Sequence, residues 1–594
     1  MYIPQLSQPS VSRDMTREFK GYNHNLVIGD GEFYDMTNCT GKYYPALSPR
    51  DRRGTYAELT DARGILAKDA MAWIDGSSLY YNGLEISGIT LNGELPKQMV
   101  SMGAYLLIFP DNIYFNTQDF SDKGYLGNEW ENDGASVTLT MCRPDGSAYQ
   151  NVVESADKPD TEEDGAYWLD ISAEPSVLKQ YSQTAASWYP VASVCCKIAA
   201  ANIHAGFSAG DGVTITADKG GGGVFLQNGA AYGGSYVLQE VGEGYIVVIG
   251  VMNTSLISYN AGNSIALSVE RRIPALDYVT ESENRIWGCH YGIVNGEAVN
   301  EIYACKLGDA KNWFCYQGIA SDSYAVSLGS DGVFTGAATY QGHPVFFKEN
   351  CIHKVYGDFP SNYSVQTTNC RGVQKGSWRS VQIVNEALIY KSYTDVCVYD
   401  GSLPVSISDA LGKEHYRNAA AGAVDGRYYI SMQADDGAYH MFVYDLTKNV
   451  WHREDCTHAL AFARMDHELY YIDADTNAIM AANGLLGTQE KAVAWSAVSG
   501  CIGYDHPDNK YVARVNLRML MEEGATLRVS VQYDSYGEWE DQVCMEGVGR
   551  TRSVTVPVLT RRCDHFRLRF DGTGVCRLFS VAKIIEYGSD ENHD

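Results

Sequence analysis

Positive charge is in short supply in this sequence. Lys and Arg number 46 against 73 Asp and Glu, which gives a formal net charge of −27 and a pI near 4.9. A chain that wraps duplex DNA by neutralising its phosphates needs a basic face, so this balance excludes that mode. Proline is scarce, at 16 of 594 residues, and so is histidine, at 13. No two histidines stand in H-x-H or H-x-x-x-H spacing and no two cysteines in C-x-x-C, so local spacing builds no zinc site. Apolar runs stay strand-sized: 245–252 (YIVVIGVM) falls far short of the roughly 20 residues a membrane helix requires. The opening residues, MYIPQLSQPS, lack the basic and apolar regions of a secretory leader. Fifteen cysteines, an odd number that includes the adjacent Cys195 and Cys196, read as small buried thiols kept reduced. The expectation is a chain folded or assembled inside a cell, without a membrane anchor.

Tyrosine and glycine are abundant, at 42 and 58 residues, and together they favour half-buried strands joined by tight turns. Amphipathic helix patterns are rare. What recurs is an apolar, aromatic run, a short turn, and a second run containing Tyr or Phe. Such pairs are 70–75 with 79–83, 104–110 with 113–117, 285–290 with 302–306, and 344–348 with 352–357. The pattern continues at 387–391 with 396–401, 427–431 with 441–446, and 459–464 with 469–473. The second runs from Ile302 through Ile352 and Val396 to Met441 follow one another at 44–50 residues, the period of a propeller blade. Leu307-Gly-Asp-Ala-Lys-Asn-Trp313 and Leu446-Thr-Lys-Asn-Val-Trp451 mark the same register.

The spacing predicts an all-β chain: a β-propeller of about six to seven blades, an inserted β module and a C-terminal β-sandwich. Its parts are an N-terminal arm (1–60), a first run of blades (61–120), the inserted module (121–272), further blades (273–490), the sandwich (491–588) and an acidic tail (589–594). A strand near the N-terminus is expected to close the ring by joining the last blade. Residues 491–588 carry 13 basic and 12 acidic side chains, so nearly all the negative charge lies in the remainder of the chain. A near-neutral, Arg-rich module on an acidic body favours contact between neighbouring subunits.

Candidate chemistry is thin. Asp473-Ala-Asp475-Thr-Asn477 opens like a calcium loop, but Ala478 and Gly484 stand where an EF-hand needs Gly and Glu, so a turn is the better reading. The run Gly220–Gly223 lacks the Lys-Ser/Thr pair of a phosphate cradle. Arg561-Arg-Cys-Asp-His565 holds a thiol, an imidazole and a carboxylate, yet Cys563 and His565 are badly placed to act together, so a polar or ion-paired edge is expected. No nucleophile elbow or Walker loop is present. A glycosidase pair of carboxylates on separate blades leaves no local trace. The expectation is a protein that is not an enzyme and has no cofactor or metal.

Three N-terminal phrases are distinctive: Gly21-Tyr-Asn-His-Asn25, Gly31-Glu-Phe-Tyr-Asp-Met-Thr-Asn38 and Tyr43-Tyr-Pro-Ala-Leu-Ser-Pro-Arg50. Together with Arg561–His565, Gly572-Thr-Gly574 and Glu586-Tyr-Gly-Ser-Asp590, they resemble the two ends of tailed-bacteriophage virion proteins of the β-propeller neck, tail-hub or packaged-DNA-stabilising group. The resemblance implies a structural virion subunit, assembled in the host cytoplasm, that forms a homo-oligomeric ring with other neck or tail proteins and helps retain and conduct packaged DNA. An acidic channel would repel the phosphate backbone over about 8–10 Å and leave it free to slide. Phe33, Tyr34, Tyr43 and Tyr44 are candidate anchors of the arm, and Arg561, Arg562, Arg567 and Arg569 candidate interface residues. The alternative is a tail-tip protein that binds or cleaves cell-surface glycan.

Overall fold

The computed structural model describes residues 10–587 apart from 95, 133, 135, 161–162, 175, 218–225, 228–229, 232, 251–255, 263–266, 485–487, 505–508 and 560. The glycine run at 220–223 and the acidic tail at 589–594 lie outside the described residues. Among those described, the regular elements are strands and two 3-10 turns, Trp378–Ser380 and Asp409–Leu411.

Six four-stranded sheets occupy 62–85, 98–125, 278–327, 336–369, 382–406 and 416–453, each running in sequence order. A seventh is built from Ala459–Met465, Glu468–Asp473 and Ala478–Ala481, and then takes Gly54–Glu58 from the N-terminal segment, with Ala478 opposite Glu58 and Ala481 opposite Gly54. This is the strand exchange by which a propeller completes its last sheet. Each sheet holds one of the recurring hairpins. Middle strands such as His343–Lys348 and Arg427–Ala434 are buried at almost every position, because both faces of the sheet are covered, and this is why they read as unbroken apolar runs. Outer strands such as Leu84–Glu85 are short and exposed.

The turns follow from backbone sterics. Asn295-Gly296, between Arg285–Val294 and Glu297–Ala304, and Asp425-Gly426, between Tyr416–Val424 and Arg427–Ala434, have both residues at positive φ, the form that matches strand twist in a two-residue hairpin. Buried tyrosines find carbonyls for their hydroxyls. Tyr428 donates to Ser380 O at 2.7 Å and Tyr390 to Arg371 O at 2.6 Å.

Residues 121–272 contribute an eight-stranded sheet, from Asn128–Glu131 to Ser258–Gly262, and a four-stranded one, Val153–Ser155 to Ser187–Pro190. Val137, Leu139, Ile198, Ile246 and Val269 form the module's core. Arg271 and Asp211, both buried, pair beneath it at 2.5 Å.

The C-terminal sandwich has one sheet in the order Ser10–Thr16, Cys576–Tyr587, Lys510–Met521 and Arg550–Val556, with Arg562–Cys563 also on Lys510–Met521. The other runs Gly21–Tyr22, Glu32–Thr37, Ala494–Ser499, Phe566–Thr573, Thr526–Tyr533 and Glu540–Glu546. Here burial alternates: Phe566, Leu568 and Phe570 face the core while Arg567 and Arg569 face outward. The N-terminal strands thus belong to the sandwich: Ser10–Thr16 pairs along Cys576–Tyr587, and Glu32–Thr37 along Ala494–Ser499.

By contact density the chain divides into two units, Met1–Met99 with Phe346–His353 and Thr367–Asp594, and Val100–Val345 with Lys354–Gln366. Within the first, the N-terminal segment is bound tightly to the sheet 416–453. Gly21 has φ +79, and a Cβ there would stand 2.2 Å from the Trp451 carbonyl oxygen, so only glycine permits this approach. Arg53, buried, pairs with Glu454 at 2.6 Å and Asp455 at 2.7 Å, and Arg50 reaches Glu490 at 3.0 Å. Burial alone would raise the Asp455 carboxyl, but Arg53, Thr457 and Arg50 outweigh it and hold it below the usual range.

Candidate functional site

Residues of both sandwich sheets and of the loops 23–31 and 499–504 line a groove of about 820 Å³, within the size range of small-ligand sites. Its apolar wall includes Phe19, Phe33, Leu568 and Phe570. Its polar centre is Asp30, which accepts from Thr16 Oγ1 at 2.6 Å and from the buried Lys583 ammonium. These bonds hold the Asp30 carboxyl low against the upward push of burial. Leu26 and Val27 stand 91% and 75% exposed at the rim, an unusual state for two adjacent aliphatics.

Beside the groove, the hairpin turn after Thr526–Tyr533 meets the segment that leads into Phe566–Thr573. Ser535 Oγ lies 2.7 Å from His565 Nε2, and His565 Nδ1 lies 2.9 Å from Asp564 Oδ2. Asp534 fixes the second segment by accepting the backbone N–H of Asp564 at 2.7 Å, while its own N–H donates to His565 O at 3.0 Å. Asp534 and Ser535 both have positive φ, 54° and 57°, which for these residue types is a strained, turn-imposed state. Cys501 Sγ is 3.7 Å from Ser535 Oγ, and the Tyr504 ring meets His565 edge-on at 5.4 Å. Cys501 and Tyr504 also line the groove. Cys563 turns inward, buried, toward Lys510 O at 3.6 Å.

The sequence-predicted residues fall on the same sandwich in varied roles. Phe33 is buried and stacks on Phe19 at 5.9 Å. Tyr34 stacks on the His24 ring at 4.3 Å and meets the Arg567 guanidinium at 4.6 Å. Tyr43 lies 3.9 Å beneath Arg577, and Tyr44 hydrogen-bonds Glu18, which pushes its hydroxyl up to about 12. Arg561 pairs with Glu540 at 2.7 Å and Arg569 with Asp571 at 2.8 Å, while Arg562 is exposed on the short strand Arg562–Cys563. The basic edge is thus largely engaged within the chain. Sequence reasoning missed Ser535, which stands thirty residues from His565 and is brought to it by the pairing of Tyr533 with Phe566. At 473–477 the structure has a turn in which Asp473 accepts from Asp475 N and Thr476 Oγ1.

No family model and no curated protein matches the chain. Solved structures do. An exo-β-1,3-galactanase from Phanerochaete chrysosporium with galactose aligns over 51% of this chain and 94% of its own, at 10% identity and a TM-score of 0.21. A glycoside hydrolase family 43 arabinoxylan arabinofuranohydrolase from Bacillus subtilis aligns over 51% and 94%, at 9% and 0.16. A dihydro-heme d1 dehydrogenase aligns over 50% and 62%, at 14% and 0.23. Likenesses this weak carry no argument about substrate or mechanism. They do correct one expectation. The exclusion of enzymes, drawn from missing local motifs, does not stand, because chains named as a galactanase and an arabinofuranohydrolase are among those matched.

Proposed function

We propose that the chain is a virion protein of a tailed bacteriophage, placed in the neck or tail, where copies assemble into a ring or hub that helps retain and conduct packaged DNA. One observation carries this reading: the phrases that resemble such proteins, from chain ends more than 500 residues apart, converge on one joint. Glu32–Thr37 and Phe566–Thr573, which carry a phrase from each end, flank Ala494–Ser499 in one sheet, Leu47 bridges Leu578, and Gly21 seats the arm on Trp451. A sandwich locked to the sheet 416–453 in this way is a rigid scaffold, and the chain's net charge of −27 lets a polyanion pass without being gripped. The exposed Leu26 and Val27 offer the apolar contact that a neighbouring subunit would cover. The test is imaging of the purified full-length chain and of virions. Rings, or density on the tail axis, support the proposal; a monomer at all concentrations, absent from particles, overturns it.

A second reading, a tail-tip protein acting on cell-surface glycan, draws on the groove itself, where an exposed Tyr504 flanks polar groups converging at Asp30. Binding of the monomer to host-surface oligosaccharide, lost on Tyr504→Ala, would favour it.

A further inference from the structure

We infer that Ser535, His565 and Asp564 form a site for acyl transfer, and that its substrate class is a short-chain carboxylic ester. The inference rests on geometry and does not depend on where the protein sits in a particle. A serine hydroxyl is a weak nucleophile unless a base takes its proton, and the base works only if a third group fixes its tautomer. Both requirements are met. With the proton on Nδ1 directed to Asp564 at 2.9 Å, Nε2 is left as the acceptor for the Ser535 hydroxyl at 2.7 Å. His565 keeps only 12% of its side chain exposed, whereas Ser535 lies at the exposed tip of its hairpin. The imidazole is therefore sheltered and the oxygen it activates is open to substrate.

The supports around these three groups are in place too. Asp534 holds the Asp564 backbone, and the buried Lys510 donates to the Asp564 carbonyl. The Tyr504 ring limits rotation of the imidazole on one side. Asp564, Asp534 and Tyr504 are positioning residues; Ser535 and His565 are the catalytic pair. A hydrogen bond whose only role was to close the turn would not need a carboxylate on the far side of the imidazole.

In the first half-reaction, Ser535 Oγ forms a bond to the ester carbonyl carbon and its proton passes to His565 Nε2. The carbon–alkoxy oxygen bond then breaks, and the alcohol departs with that proton. In the second, water attacks the acyl-serine and gives a proton to Nε2. The serine oxygen leaves, regains that proton and releases the carboxylic acid. The products are one alcohol and one acid per ester and water, with no other reactant. The open position of Ser535 suits a small acyl group on a larger alcohol, whose bulk the adjoining groove accommodates.

The test uses the full-length chain, 4-nitrophenyl acetate as substrate and a fluorophosphonate as covalent probe. Saturable hydrolysis is expected, with a fall of at least about 100-fold in kcat/KM for Ser535→Ala and for His565→Gln. Peptide mapping should place the phosphonyl adduct on Ser535. Asp564→Asn should lower kcat while leaving KM in place, a split that a turn-closing role would not produce. Equal rates for wild type and Ser535→Ala, or a wild-type chain whose Ser535 stays unlabelled, would overturn the inference. The labelling result needs no variant to fold.

Discussion

His452 sits on the strand Val450–Arg453 with its ring against the N-terminal segment: a Cβ on Gly41 would lie 2.8 Å from its Cε1. Burial pushes its pKa from the ordinary 6.5 to about 4. Between those values the unfolded chain binds a proton that the folded chain refuses, so stability rises with pH across that window. The contribution is fully present above about pH 6.5 and is lost as pH falls through about 4. Urea midpoints measured from pH 7 down to pH 4 should therefore decline by an amount equal to about 3 kcal/mol from this ring. His452→Gln should flatten that slope, provided Gln fits the space. A slope unchanged in the variant would assign the acid sensitivity elsewhere, with the Asp455 carboxylate and its two arginines the next group to test.

Among the elements, Gly54–Glu58 has the largest structural consequence for its length, because it completes a sheet whose other strands begin some 400 residues later. Proline at Ala57, opposite Ile479, would remove an N–H and stiffen the backbone within the ladder, at a cost of about 1–3 kcal/mol. Hydrogen exchange should then show lost protection at Ala478–Ala481 while Lys510–Met521 keeps its own. Equal loss in both would mean that the sheet and the sandwich unfold as one unit. The middle strands of the propeller sheets were legible in the sequence because burial on both faces writes an apolar run. Leu84–Glu85 and Val405–Ser406 were not, since two exposed residues leave no pattern. The joint between the N-terminal phrases and the sandwich was invisible for a different reason. Pairings such as Phe33 with Ser499 depend on register across the whole chain, and no local period encodes them. Ser535 and His565 were hidden in the same way: each reads as an ordinary turn or edge residue until Thr526–Tyr533 and Phe566–Thr573 are laid side by side.

On the scale of the whole molecule, the fifteen thiols give a measure of integrity. Eleven are buried, Cys370 and Cys501 are half-buried, and Cys456 and Cys544 are exposed. Burial raises the pKa of Cys39 and Cys196, so these are inert as well as hidden. A thiol reagent at neutral pH should label two positions quickly, two slowly and the remaining eleven only on unfolding, as counted by mass spectrometry. Fast labelling of more than four would show that the sheets open readily in solution. The pairing of residues 10–58 with partners at 478–587 also sets a timetable for biosynthesis. A ribosome adding about 5–20 residues per second takes roughly half a minute to two minutes to deliver those partners. Through that interval the earliest strands have unsatisfied edges, so a nascent chain of this design depends on something else to keep them from pairing with the wrong neighbour until translation ends.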